Sequence, residues 1–258
     1  MHDALTRDAV TQDAVIVVPC YNEARRLDGE RFLELSRAPG VRLLFVDDGS
    51  TDETGAIVTA LAARSEGRIE LLTLARNAGK GEAVRRGLEH AARQGATLVG
   101  FADSDLATPP EELLRLVERA RESGAAVVMA SRVALAGTAI DRKAARHYLG
   151  RAFATVASLV LRARFYDTQC GAKLFENSEL LRAAIAEPFH SRWIFDVELL
   201  GRLLVGAGGH PGLATSEFLE VPLRRWADVA GSKLTATSWV RAGADLAVIA
   251  AELERRRR

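Results

Sequence analysis

Two carboxylates two residues apart, Asp103 and Asp105, follow the apolar run 97–101 of this 258-residue chain. At the end of a strand, this spacing can bring oxygens of both side chains close to one cation. Mg²⁺ and similar hard ions prefer oxygen ligands and often bridge a carboxylate to a phosphate. The alternative interpretation is a plain loop before a helix that Pro109 and Pro110 open. Further acids near other strand ends favour the metal site.

A second acidic pair, Asp47 and Asp48, stands at the end of the apolar run 41–46 and precedes the segment 49–52, Gly-Ser-Thr-Asp. A turn followed by a helix cap explains the glycine and the hydroxyl residues. It does not explain two adjacent acids, which repel each other at the mouth of a strand. Such acids can accept hydrogen bonds from ribose hydroxyls or from the imide N–H of a base, so the functional interpretation is a nucleoside site.

Two more polar segments could carry chemistry. Residues 77–81, Asn-Ala-Gly-Lys-Gly, resemble a phosphate-binding loop but lack the GxxxxGK[ST] pattern of a P-loop. Lys80 would place a positive charge beside a helix N-terminus, where anions bind; the alternative is a glycine-rich turn. Residues 167–173 form a polar run between apolar stretches, and the alternative there is a loop around a buried thiol, Cys170. No histidine partners Cys170 in the sequence, so no cysteine nucleophile is predicted.

These motifs must be positioned by regular elements. Short apolar runs typical of strands occur at 14–18, 41–46, 69–74, 97–101 and 125–131. Helix-forming stretches lie between them, at 23–37, 52–64, 80–94 and 110–123. This alternation indicates an α/β fold with a mostly parallel sheet and helices on both faces. Ligands bind such sheets outside the carboxyl ends of the strands, so we expect the motifs YNE, DDGS and DSD to share one rim.

Composition and charge narrow the class of protein. The pattern favours one domain over 1–258, with a flexible N-terminus at 1–13. With 35 basic and 34 acidic residues, the balance gives no case for nucleic-acid binding. Two cysteines without a CxxC pair indicate reduced thiols of a cytoplasmic protein. No signal peptide is visible and no apolar run approaches the roughly 20 residues that cross a bilayer, so any membrane contact is expected to be peripheral, on the inner face of the cell membrane.

Seven segments together resemble a known family. Those similar to family 2 glycosyltransferases of the GT-A (Rossmann-like) fold are VPCYNE at 18–23, VDDGSTD at 46–52, NAGKG at 77–81 and DSDLATP at 103–109. Those similar to dolichyl- and polyprenyl-phosphate β-glucosyltransferases, with dolichol-phosphate mannosyltransferases as relatives, are DTQCGAKLF at 167–175, RWIFDVELL at 192–200, and Trp226 with GSKL at 231–234.

The resemblance implies a reaction and a set of site residues. It implies an inverting glycosyltransferase that moves a sugar, glucose from UDP-glucose, to a polyprenyl phosphate, with Mg²⁺ or Mn²⁺ bound by Asp103 and Asp105. The implied nucleotide-binding residues are Pro19, Tyr21, Glu23, Asp47, Asp48, Lys80, Asp103, Ser104 and Arg132. The implied catalytic residues are Asp105, Asp167, Gln169, Lys173 and Asp196, the last at the place where hydroxyl-glycosylating relatives keep a base.

Two other functions stay open at this point. A glycosyltransferase with a soluble hydroxyl acceptor is favoured by the lack of the N-terminal membrane anchor that eukaryotic relatives carry, and opposed by the segment 167–175. A nucleotidyltransferase-like or non-catalytic nucleotide-sugar-binding module is opposed by the complete motif set.

Two amphipathic helices are predicted in the second half. Residues 142–166 contain six basic residues and no acid, and Leu149, Phe153, Val156 and Val160 share one helix face. The second helix, in 235–258, has a stripe of Trp239, Ala242, Leu246, Ile249 and Leu253 before a basic tail. Either stripe can pack on the core, as in most amphipathic helices, or lie on an anionic membrane surface.

Overall fold

A computed structural model describes residues 13–141, 144–229 and 236–257 of the chain. Its strands are β1 (Ala14–Cys20), β2 (Val41–Asp47), β3 (Ile69–Thr73), β4 (Leu98–Ala102), β5 (Val127–Ser131), β6 (Ala139–Asp141), β7 (Ala172–Glu176), β8 (Phe218–Pro222) and β9 (Arg225–Ala227). Its α-helices are α1 (Gly29–Ser36), α2 (Thr54–Arg64), α3 (Lys80–Arg93), α4 (Pro110–Ser123), α5 (Ala144–Leu161), α6 (Glu179–Ala184), α7 (Phe195–Val205) and α8 (Ala236–Arg256).

The main sheet has the order β3-β2-β1-β4-β7-β5-β8. All neighbouring pairs are parallel except those of β7, which runs antiparallel to both β4 and β5. Strands β6 and β9 form a separate parallel pair. The predicted mostly parallel sheet is confirmed, and the inserted antiparallel strand is a feature that the sequence pattern did not indicate.

Helices cover both faces of the sheet, as predicted. Alternate residues of β1 belong to two apolar clusters, Val15 and Val17 to one and Ile16 and Val18 to the other. The first cluster takes side chains from α3 and from α5 to α8, and the second takes them from α1, α2 and α4. This alternation is the period of a strand that is buried on both sides.

The first helix begins six residues later than the predicted 23–37. The backbone N–H groups of Arg26 and Leu27 both donate to the carbonyl of Glu23, which forms a turn instead of a helix. The helix starts after Asp28, whose carboxylate accepts a hydrogen bond from the Arg31 N–H at 3.3 Å. An aspartate is a favourable N-cap because it satisfies an N–H group that the first turn leaves unpaired.

The two predicted stripes have different outcomes. In α8, Ala242, Leu246, Ile249 and Leu253 are buried in the core, so this stripe packs inside the protein. In α5 the buried positions are Ala154, Ala157 and Leu161, while Val156, which was expected on the apolar face, is 48% exposed. Phe153 and Val160 of the predicted stripe are partly buried against the core, so this prediction is correct for two of its described residues and wrong for Val156. The side chains of Leu149 and Trp239, and residues 1–12 and 230–235, lie outside the described residues. In the described part of the chain, no helix has the length and apolar character to cross a membrane.

Candidate active site

A cavity of about 480 Å³ opens at the carboxyl ends of β1, β2 and β4. Its wall also includes the start of α3, the end of β5, the segment before β7 and the start of α7. The predicted site residues that line it are Pro19, Tyr21, Glu23, Asp48, Lys80, Asp103, Ser104, Asp105, Arg132, Asp167, Gln169 and Asp196. Asp47 and Lys173 do not line it. Asp47 accepts a hydrogen bond from the Ser50 N–H at 2.9 Å inside a turn, and Lys173 is buried.

The carboxylate pair after β4 is fixed by backbone contacts. The Asp103 N–H donates to the Gly171 carbonyl at 3.0 Å, and Asp105 Oδ1 accepts from the Ala107 N–H at 3.1 Å. Gly171 leaves room for the Asp103 side chain, because an added Cβ would lie 2.0 Å from its Oδ2. Burial, and then the charge of Asp103, raise the pKa of Asp105.

These two carboxylates fit a divalent cation that shares its ligands with a substrate. Among the described residues, no cluster of three or more histidine, cysteine, aspartate or glutamate side chains could hold a metal by itself. Mg²⁺ commonly takes one or two carboxylates and completes its shell with substrate phosphates and water. Two rim carboxylates facing an open cavity suit that mode of binding.

Two lysine–aspartate pairs lie beside this site. Lys80 Nζ lies 2.5 Å from Asp103 Oδ1, with both side chains about a third exposed or less, at 27% and 32%. Lys173 Nζ donates to Asp196 Oδ1 at 2.6 Å and to the Cys170 carbonyl at 2.7 Å. Burial raises the pKa of Asp196, and the charge of Lys173 opposes that rise.

Arg132 forms a bidentate ion pair with Asp167. Its Nε and Nη2 donate to the Asp167 carboxylate at 2.6 and 2.8 Å, and its backbone N–H donates at 3.1 Å. The guanidinium carbon lies 5.3 Å from the centre of the Trp226 ring. Burial alone would raise the pKa of Asp167, but the charge and hydrogen bonds of Arg132 lower it to about 2.

The predicted nucleoside acids have partners within the protein. Asp48 is buried and accepts hydrogen bonds from the N–H groups of Ala78 and Gly79 at 2.7 and 2.8 Å. It therefore anchors the loop that carries Lys80. Glu23 accepts two hydrogen bonds from Arg26, at 2.8 and 2.7 Å. Both acids line the cavity, so a nucleoside would meet them in these arrangements.

The segment 192–200 was one of the family-like motifs, but the sequence analysis assigned no role to Arg192 and Trp193, which line the cavity just before α7. Arg192 donates to the carbonyls of Ala78 and Asn77 at 2.9 and 3.1 Å, so it holds the Lys80 loop by its carbonyl groups while Asp48 holds it by its N–H groups. Trp193 is 42% exposed, and its ring centre lies 5.8 Å from Lys80 Nζ. The available signal was an arginine and a tryptophan directly before an apolar helix.

The fold and the cavity define a glycosyltransferase of GT-A architecture, with paired carboxylates and a lysine at the carboxyl rim of a mostly parallel sheet. The match to a sequence family agrees with that class. Residues 15–178 match Glycosyl transferase family 2, and the chain belongs to this family.

Individual relatives extend the match beyond residue 178. The chain is 32% identical to a dolichyl-phosphate beta-glucosyltransferase of Drosophila melanogaster, over 94% of this chain and 76% of that protein. It is 28% identical to a polyprenol monophosphomannose synthase of Mycolicibacterium smegmatis, over 75% of this chain and 73% of that protein. A solved structure of glucosyl-3-phosphoglycerate synthase from Mycobacterium tuberculosis with UDP has a TM-score of 0.68 at 19% identity, covering 94% of this chain and 82% of that one. The last likeness supports the fold.

Proposed function

We propose that this glycosyltransferase moves glucose from UDP-glucose to a polyprenyl phosphate, with inversion and with Mg²⁺ or Mn²⁺ held by Asp103 and Asp105. The observation that carries the proposal is the mixed lining of the cavity. The carboxylate pair and Lys80 line it together with apolar side chains, which are Phe153 and Ala154 of α5, Ile194, and Ala242 of α8. A nucleotide diphosphate suits the charged part of this lining, and a phosphate joined to a hydrocarbon suits the apolar part.

The metal and the charged residues of the cavity have different roles in this proposal. The metal would neutralise the charge that develops on the departing nucleotide diphosphate. Asp48 and Arg192 hold the loop from which Lys80 reaches the same phosphates. Arg132, kept in place by Asp167, adds positive charge to the cavity wall where the acceptor phosphate would lie.

The acceptor needs no general base in this proposal. A phosphate monoester oxygen is already anionic near neutral pH, whereas a hydroxyl acceptor requires a base. Asp196 is engaged by Lys173 at 2.6 Å and is 5% exposed, which suits a supporting role. Gln169 and Asp167 complete the sugar and acceptor side of the cavity.

Product analysis tests the proposal. The protein is incubated with UDP-glucose and Mn²⁺, with a polyprenyl phosphate, a soluble phosphorylated acceptor or a sugar hydroxyl acceptor. We expect release of UDP and formation of glucosyl lipid in the first reaction. Transfer to either soluble acceptor but not to the lipid would contradict the lipid proposal. Pyrophosphate released from a nucleoside triphosphate and a sugar phosphate would indicate a nucleotidyltransferase instead.

We further propose that α5 brings the enzyme to an anionic membrane surface, at the cytoplasmic leaflet. Val156 and Leu159 on its outer face are 48% and 73% exposed. Arg162 and Arg164 follow them in exposed positions. Basic residues near such a surface contribute about 1 kcal/mol each. Sedimentation with anionic vesicles should decrease in high salt and in a Leu159→Asp variant; a protein that never sediments at low salt would contradict this contact.

A further inference from the structure

Lys80 forms an ion pair with Asp103 in this structure. Lys80 Nζ lies 2.5 Å from Asp103 Oδ1, an atom shielded from solvent that has no other hydrogen-bond partner within the described residues. Lys80 is therefore the partner that the structure shows for this oxygen. The same oxygen is one that a divalent cation at this site would use. Lys80 and the metal therefore compete for Asp103.

The side chain of Lys80 is also able to move away from Asp103. Its side chain is 27% exposed, and the neighbouring Trp193 is 42% exposed at the cavity. The backbone beside it is fixed, because the Gly81 N–H donates to the Arg192 carbonyl at 3.1 Å. Movement is thus confined to the flexible four-carbon stem of the lysine.

The surrounding charges decide where Lys80 would move. Asp103, Asp196 and Asp105 all attract its ammonium group. Asp196 already forms an ion pair with Lys173 at 2.6 Å, so the charge of Lys80 mainly compensates the carboxylates of Asp103 and Asp105. A doubly charged cation at that pair would repel Lys80, and an anionic diphosphate in the cavity would attract it.

We propose that Lys80 is an exchangeable counter-ion that pairs with Asp103 before the donor binds and with the donor diphosphate afterwards. The proposal rests on the proposed metal-dependent nucleotide-sugar site. It makes metal and nucleotide binding cooperative, because each ligand removes the ion pair that opposes the other. By linkage, UDP must raise the affinity for the metal by the same factor as the metal raises the affinity for UDP.

Binding measurements on Lys80→Met test the proposal. Free Mn²⁺ is followed by electron paramagnetic resonance, with and without UDP, and UDP affinity is measured by calorimetry at fixed Mn²⁺. Against the wild type, we expect Lys80→Met to bind Mn²⁺ alone about tenfold more tightly and UDP more weakly, within the usual range of coupling of about 5- to 150-fold. The opposite signs separate this role from a structural one, which would weaken both.

Arg86→Met is the matched control. Arg86 lies on the same helix and is 50% exposed, paired with Glu82 and Glu89 at 3.9 and 3.5 Å. The Arg86→Met substitution also removes one positive charge, but at a residue that does not line the cavity. The affinities for Mn²⁺ and for UDP should therefore stay at wild-type values. Lys80→Arg keeps the charge and should keep the coupling. Circular dichroism checks the fold of each variant.

The outcomes distinguish this inference from the proposed function. If Lys80→Met leaves the affinity for Mn²⁺ alone unchanged or lowers it, the counter-ion role is wrong even when Mn²⁺ and UDP bind together. Loss of coupling in Lys80→Arg would contradict it as well. If the wild type binds no Mn²⁺ with or without UDP, the metal-dependent function and this inference are both overturned.

Discussion

The two lysine–aspartate pairs of the cavity differ in burial far more than in distance. Lys173 and Asp196 lie 2.6 Å apart with side chains 0% and 7% exposed, whereas Lys80 and Asp103 lie 2.5 Å apart at 27% and 32%. A buried charge that loses its partner is costly, while water compensates an exposed one. Contact length alone therefore does not tell a fixed support from an exchangeable partner; the exposed fraction of the side chains does.

The largest expected effect concerns the stability of the buried pair. Lys173→Met leaves Asp196 without its cation, so we expect the free energy of unfolding to fall by about 3–5 kcal/mol. Asp103→Asn in the exposed pair should change it by less than about 1 kcal/mol. Urea unfolding of both variants measures the difference. Equal losses would break the comparison, because both pairs would then be structural.

Asp105→Ala, next to the exposed pair, should separate function from stability. We expect turnover to fall at least about 100-fold, the scale on which loss of one charge-stabilising group acts in a transition state. The free energy of unfolding should stay within about 1 kcal/mol of the wild type, since Asp105 is a half-buried rim carboxylate. UDP release and urea unfolding are measured on the same preparation. Normal turnover, or normal wild-type turnover in excess chelator, would contradict the role of this carboxylate.

The Arg132–Asp167 ion pair should also stabilise the fold, and this stabilisation should be lost in acid. Because Arg132 lowers the pKa of folded Asp167 to about 2, its ionised form stabilises the fold above the unfolded pKa of about 3.9. This stabilisation, roughly 2 kcal/mol, should be complete above about pH 5 and be lost as the pH falls toward 2. The stability difference between the wild type and Asp167→Asn should therefore shrink by about half between pH 6 and pH 3. A pH-independent difference would show that the carboxylate charge does not contribute.

The smallest effect is expected for a substitution of Arg192, which anchors the loop that carries Lys80. Arg192→Lys loses the planar fork that holds the carbonyls of Ala78 and Asn77 at 2.9 and 3.1 Å. Since Asp48 still holds the N–H groups of Ala78 and Gly79, the affinity for UDP should fall only about five- to tenfold, or about 1 kcal/mol. Calorimetry measures this change. Wild-type affinity would show that one anchor is enough to position Lys80.

Most of the sheet could be predicted because its strands are continuous apolar runs that end in turn-forming residues. The exceptions in the main sheet are β7 and β8, which the sequence pattern did not predict. Leu174 of β7 pairs with Gly100 and Val128, which lie far earlier in the chain, and the local sequence carries no signature of this antiparallel pairing. The stripe on α5 was predicted only in part. Phe153 and Val160 pack against the core as expected, whereas Val156 is exposed and the small residues Ala154 and Ala157 are buried instead.

The site was predictable where the chemistry resides in adjacent residues, as in Asp103 and Asp105. It was not predictable where a role depends on distant backbone. Arg192 acts on carbonyl groups more than a hundred residues earlier, which no spacing pattern can reveal. Asp48 was expected at a nucleoside, and its loop-anchoring hydrogen bonds to Ala78 and Gly79 appear only in the folded chain.

The insertion of β7 has a consequence for how the chain folds. Strand β4 can pair with β1 as soon as it is synthesised, but its other edge must wait for β7. Strand β5 has no earlier neighbour, since it pairs with β7 and β8. Until residue 176 is available, both strands present unpaired edges, which favour aggregation. Pairing across such sequence separations also slows folding. We therefore expect the two halves to fold in one cooperative step, with no stable N-terminal intermediate during synthesis.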